Sequence, residues 1–181
     1  MSELNELALK LQADKATIHS YIPVYESLFA PMRFSEFNLL EIGVGGRGKS
    51  IRMWLDYFPK ANIYGIDINK APFRHDRFHF RRFDINNTKE FRKYSCMFDV
   101  IIDDASHDFV HQKNALKALW DKLKPDGTYC IEDIKPDNLS KFYCLEVDHK
   151  QAIMHLFFEK KRKDDHLLVV KKKEQPFVLY L

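Results

Sequence analysis

Five apolar runs of the chain end in acids: Glu41, Asp67, Asp84, Asp103-Asp104 and Glu132-Asp133. Crowded carboxylates raise one another's pKa unless something positive sits among them. Asp104, Glu132 and Asp133 form the sharpest group. If FDVIIDD and TYCIEDI are neighbouring strands, roughly 5 Å apart, their acidic ends meet at one point. Three carboxylates without cysteine make a hard oxygen site, suited to Mg²⁺ or Mn²⁺ rather than zinc. The plainer reading is that each acid caps a loop or a helix start. That suffices for a single acid and explains three converging ones less well. His107 lies three residues beyond Asp104, at the mouth of this group. An imidazole titrates near neutrality and can take a proton from a substrate hydroxyl. His19, His75 and His111 are given no catalytic role.

The stretch that positions these acids is Asn38 to Ser50, NLLEIGVGGRGKS. An apolar run ends at Glu41, a glycine turn follows, and Ile51, Trp54, Leu55 and Phe58 then repeat at helical spacing. Strand, glycine turn and helix open a nucleotide-binding α/β unit, in which glycines let the backbone approach a ligand closely. The turn fits two patterns. Gly43, Gly45 and Gly48 satisfy G-x-G-x-x-G, which points to an adenosyl cofactor. Gly43 through Lys49 and Ser50 satisfies the phosphate-loop pattern, which points to a nucleoside triphosphate. Asp67 stands about twenty residues beyond the turn, where an acid accepts hydrogen bonds from ribose hydroxyls in dinucleotide-type folds.

Around this unit the periodicity predicts five strands: Asn38 to Ile42, Asn62 to Ile68, Phe78 to Ile85, Phe98 to Asp103 or Asp104, and Thr128 to Ile134. Helices are predicted after the glycine turn, over Asn87 to Tyr94, after Asp108 and over Asn138 to Lys150. Pro125-Asp126-Gly127 is read as the stop of the helix that carries Leu116, Leu119, Trp120 and Leu123. Ile153 to Glu159 and His166 to Lys172 read as a closing hairpin across KKRKDD. The expected fold is α/β, one doubly wound Rossmann-like sheet, mostly parallel with a C-terminal antiparallel hairpin. It makes one domain over 1–181, with a helical N-terminal lid over 1–35 and a core over 36–175.

Length and charge agree with this. The 181 residues suit one core, and a net charge of +3 gives little reason to expect a polyanion. Late basic clusters at Lys160 to Lys163 and Lys171 to Lys173 read as a solvated turn and strand end. Three cysteines without paired spacing indicate neither a disulfide framework nor a zinc site. With neither an apolar leader core nor a membrane-length run, a cytoplasmic setting is expected.

Taken together, LEIGVGG, IYGIDI, FDVIIDDASH and PDGTYCIED resemble class I S-adenosylmethionine-dependent methyltransferases. Among these the chain looks most like the metal-dependent sugar O-methyltransferases of the mycinamicin and macrocin type and their small phage and bacterial relatives. The N-terminal DKATIHSYIPVY is similar to a D-K-x-x-x-H-x-Y stretch of that group. The resemblance implies that Glu41, Gly43 and Gly45 frame the cofactor's methionine and ribose. It places Asp67 on the ribose hydroxyls, Ile68 by the adenine and Asp84 near the adenine amino group, and counts Asp103 with the cofactor residues. It matches Asp104, Glu132 and Asp133 to magnesium ligands and His107 to the general base. Asp14, Lys15, His19 and Tyr21 fall in the segment that covers the cofactor, without individual roles. Ala105 stands where the family has glycine in D-D-G-S-H.

The expected function is therefore Mg²⁺- or Mn²⁺-dependent transfer of a methyl group from S-adenosylmethionine to a hydroxyl of a sugar or another vicinal diol. The expected partner is a small-molecule or glycan acceptor, with no membrane and with self-association left open. Three alternatives stand beside it: a metal-independent RNA 2′-O-methyltransferase, a phosphate-loop kinase or ATPase, and a cofactor-binding subunit without turnover.

Overall fold

The computed structural model describes residues 2–143, 152–158 and 166–173. One seven-stranded sheet has the order β3-β2-β1-β4-β5-β7-β6. Strands β1 (Asn38–Ile42), β2 (Asn62–Asp67), β3 (Phe78–Arg82), β4 (Phe98–Asp103) and β5 (Leu123–Ile134) run parallel. Strand β7 (His166–Lys172) lies antiparallel to β5, and β6 (Ala152–Phe158) pairs antiparallel with β7 at the sheet edge. The doubly wound sheet and its antiparallel hairpin are as the sequence predicts.

The period of two along each strand sorts the core into two layers. Leu39, Val100, Ile102 and Cys130 face one layer, where α1 (Glu3–Lys10), α3 (Ile22–Phe29) and α4 (Lys49–Tyr57) supply Leu4, Tyr25, Phe29 and Trp54. Leu40, Ile42, Ile101 and Ile131 face the other, where α5 (Phe109–Leu119) supplies Leu116 and Leu119. Asp108 caps α5, its side chain accepting from the N–H groups of Val110 and His111. The N-terminal segment, including the short helix α2 (Asp14–Thr17), is part of the first layer. Tyr25 and Phe29 are fully buried and stack at 5.5 Å, and Trp54 meets Tyr25 edge-on at 5.6 Å.

Local boundaries depart from the sequence reading in several places. Strand β3 ends at Arg82, short of the expected Ile85. The helix expected over Asn87 to Tyr94 is a 3₁₀ helix, Thr88–Lys93. The α5 helix ends at Leu119, and Pro125-Asp126-Gly127 lies inside β5, where the register against β4 shifts between Phe98 and Val100. There Asp126 adopts φ +59°, so the stop signal serves a strand irregularity. Of the helix expected over Asn138 to Lys150, α6 (Leu139–Tyr143) is formed, and the remainder lies outside the described residues. So does the Lys160 to Lys163 cluster. Among the described residues no helix is long and apolar enough to cross a membrane.

Candidate active site

Parallel pairing places residues of equal level side by side on one face of the sheet. Glu41 pairs with Ile102, and Ile102 with Cys130. Two residues further along the latter two strands come Asp104 and Glu132, still on the α4 side. Asp103 belongs to the opposite face. The adjacent acids of FDVIIDD therefore part company: Asp103 is fully buried with Tyr129 near it, whereas Asp104 turns toward the N-terminal segment.

The positive group among these carboxylates is Lys15, delivered by α2. Its side chain is fully buried. The ammonium donates to Asp104 Oδ2 at 2.7 Å and to Glu132 Oε1 and Oε2 at 2.7 and 2.8 Å, and lies 3.7 Å from Glu41 Oε1. Burial alone would lower the Lys15 pKa. The charges of Asp104, Glu132 and Glu41 outweigh burial and hold it above the ordinary lysine value. Glu132 also accepts from the Tyr25 hydroxyl, and its main-chain carbonyl accepts from Gln112 Nε2 at 2.9 Å. Glu41 is fully buried beneath the glycine turn. It accepts from Ser50 Oγ at 2.6 Å and Trp54 Nε1 at 2.7 Å.

Asp133, near the end of β5 where the register against β7 shifts, and His107, beyond β4, both adopt left-handed backbone, φ +54° and +53°. Asp and His tolerate this region better than most residues, and it aims both side chains at one point. Asp133 Oδ2 lies 3.5 Å from His107 Nε2. Ligand atoms of Asp104, His107 and Asp133 lie within 4.8 Å of one another. Beside them opens a cavity of about 790 Å³, lined by Gly43 to Ser50, Asp67, Asp104, Ala105, His107 and, from the N-terminal segment, Gln12, Asp14, Thr17 and Ile18. A second cavity of about 380 Å³ continues past Gly43, Asp67 and Ala105 to Ile68, Asp84, Ser106 and His111. Asp67 accepts from the Gly45 N–H at 3.0 Å and so braces the turn. Gly43 has φ +89°, and a Cβ there would stand 2.1 Å from the Asp104 carbonyl oxygen, so the close approach just beyond β1 and β4 admits no side chain.

The phosphate-loop reading fails on this geometry. Ser50 turns inward to Glu41, and Lys49 donates to the main-chain oxygen of Gln12 at 2.9 Å. Neither is presented to a nucleotide as that motif requires.

No protein-family model matches the chain. It is 37% identical over 139 residues to 8-demethyl-8-alpha-L-rhamnosyl tetracenomycin-C 2′-O-methyltransferase of Streptomyces olivaceus, covering 71% of this chain and 37% of that one. It is 35% identical over 144 residues to mycinamicin VI 2″-O-methyltransferase of Micromonospora griseorubida, covering 73% and 36%. The solved structure of MycE methyltransferase, in complex with Mg, SAH and mycinamycin VI, superposes with a TM-score of 0.82 at 26% identity, covering 99% of this chain and 57% of that one. The chain is a relative of the sugar O-methyltransferases, with the class I methyltransferase fold. It spans little more than a third of the length of the curated relatives it matches.

Within this methyltransferase fold the donor set suits a hard divalent cation. Asp104 and Asp133 offer carboxylate oxygens beside His107. Glu132 is more committed than its sequence suggests: Oε1 already accepts from Lys15 and Tyr25, and Oε2 from Lys15. Of a carboxylate's four or so acceptor positions, about one remains. The cofactor residues expected from the resemblance divide into two sets. Gly43, Gly45, Asp67, Ile68 and Asp84 line the cavities, while Glu41 and Asp103 are fully buried. Sequence reasoning left Lys15, Tyr21 and Tyr25 without roles. They lie 89 to 117 residues from the acids they hold, and no local pattern carries that information.

Burial pushes the carboxyls of Asp103 and Glu41 up to about 7 each. The folded chain therefore holds protons that the unfolded chain releases between about pH 4 and 7, so stability falls as pH rises through that window. Thermal melts in chelator are expected to give a lower Tm at pH 7.5 than at pH 5, with Asp103→Asn reducing the difference. A Tm that is flat or rising over this range would refute the assignment.

Proposed function

We propose that this domain transfers a methyl group from S-adenosylmethionine to a hydroxyl of a sugar or another vicinal diol, with the help of Mg²⁺. The observation that carries the reading is the meeting of Asp104, His107 and Asp133 at the rim of the cavity formed by the glycine turn. When bound, the cofactor supplies an electrophilic methyl on sulfur and the cation lowers the pKa of the acceptor hydroxyl. Gly43 and Gly45 admit the methionine and ribose to the turn, and Asp67 accepts from the ribose hydroxyls. Ile68, 57% exposed at the rim of the second cavity, packs on the adenine, with Asp84 near its amino group. Glu41 holds the turn through Ser50 and Trp54, and Asp103 supports the end of β4. Asp104 and Asp133 hold the cation, with the remaining acceptor position of Glu132. His107 Nε2 would take the proton of the acceptor hydroxyl, whose oxygen gains the methyl while the C–S bond breaks and S-adenosylhomocysteine leaves with the bonding pair. Much of the rate comes from holding both reactants as near-attack partners.

The acceptor class follows the relatives, among which the tetracenomycin-C O-methyltransferases carry a rhamnosyl group in their names. Calorimetric titration of the chelator-treated protein with S-adenosylhomocysteine and ATP, each with and without Mg²⁺, tests the cofactor half. The adenosyl compound is expected to bind and ATP to be silent; the reverse would overturn the reading. Methyl transfer to a panel of free and aglycone-linked sugars is expected to need Mg²⁺. Transfer to RNA that persists in chelator and weakens steeply with salt would replace the sugar with a polyanion.

A further inference from the structure

Tyr21 has no place in the chemistry above, yet its hydroxyl makes two bonds to one residue of the cation site. It donates to Asp133 Oδ1 at 2.6 Å and accepts from the Asp133 main-chain N–H at 3.2 Å. Side chain and backbone of Asp133 are thus gripped by one oxygen, from a residue 112 positions away. The grip matters because Asp133 holds a left-handed φ of +54°, which an aspartate adopts only where its surroundings fix it. Oδ1 is occupied by the phenol, which leaves Oδ2 on the side of His107 Nε2.

The phenol is itself held. Tyr21 is 2% exposed, stacks on the His19 ring at 5.0 Å and meets Tyr25 edge-on. His19 Nδ1 lies 3.4 Å from the same Oδ1. A rigid donor behind a carboxylate fixes which oxygen faces a cation and removes the entropy of choosing.

We infer that Tyr21 is a positioning residue for the divalent cation: it clamps Asp133 so that one carboxylate oxygen is presented beside Asp104 and His107. This rests on the metal-assisted reading above. It gives the N-terminal segment a second task, since the same segment lines the cofactor cavity through Asp14, Thr17 and Ile18.

The test is Tyr21→Phe in the full chain, which removes one oxygen and keeps the ring. Mn²⁺ affinity is read from the electron paramagnetic resonance of free Mn²⁺, alongside Tm and the S-adenosylhomocysteine Kd measured without metal. The clamp predicts a Mn²⁺ Kd weakened about 10- to 100-fold, the range for losing a partner behind a metal ligand, with the S-adenosylhomocysteine Kd within about twofold. Tyr25→Phe, which releases Glu132 instead, serves as the comparison and is expected to weaken Mn²⁺ binding less. A hydroxyl with a purely structural role would lower Tm and leave the Mn²⁺ Kd unchanged, and that result would overturn the inference. If the wild-type chain itself bound no Mn²⁺, the metal-assisted reading would fall and the clamp with it.

Discussion

His107→Asn is expected to lower methyl transfer by about 10²- to 10⁴-fold, the usual range for a general base, while S-adenosylhomocysteine binding stays within about twofold. Asparagine is the informative substitute because His107 stands at φ +53°, a backbone that asparagine tolerates and alanine does not. A change in rate then reports the imidazole rather than a displaced loop. The side chain is 34% exposed, so an acceptor can reach it, and its Nε2 points to the Asp133 carboxylate that would share the cation. Among the described residues its Nδ1 has no hydrogen-bond partner, so the usual orienting group behind a catalytic histidine is missing. The left-handed backbone at His107 sets the direction of the ring instead. Turnover within tenfold of wild type would show that another group takes the proton.

Lys15→Met is expected to cost about 3–5 kcal/mol of stability, the range for breaking a buried ion pair by removing one partner. All three ammonium hydrogens are spent on Asp104 and Glu132, and Glu41 lies one contact further. Methionine nearly fills the volume but leaves these carboxylates without their cation. For a chain of this size the loss corresponds to a Tm lower by roughly 10 °C. The deficit should shrink as pH falls, because burial already raises the pKa values of Asp104 and Glu132, and protonation relieves the unpaired charge. Chemical denaturation at pH 8 and pH 5.5 measures both quantities. A cost below about 1 kcal/mol at pH 8 would mean that the acids are neutral in the native protein and that Lys15 does not hold them together.

The sheet was legible in the chain, because alternating apolar runs and helical periods are local and β4 is a nearly unbroken apolar segment. So was the glycine turn, since only glycine fits where Gly43 meets the Asp104 carbonyl. The chain also placed acids at strand ends, which parallel topology gathers along one edge of the sheet. Three things were decided only in three dimensions. The faces of neighbouring strands separated Asp103 from Asp104, because successive side chains of a strand point to opposite sides. The choice between two glycine-loop motifs was made by the inward turn of Ser50 to Glu41, a contact that depends on how α4 packs. The charge balance of the site came from Lys15 and its geometry from Tyr21. Both are held in place by the burial of α1 and α3 against the sheet, and contacts over a hundred residues apart leave no periodic trace in the chain.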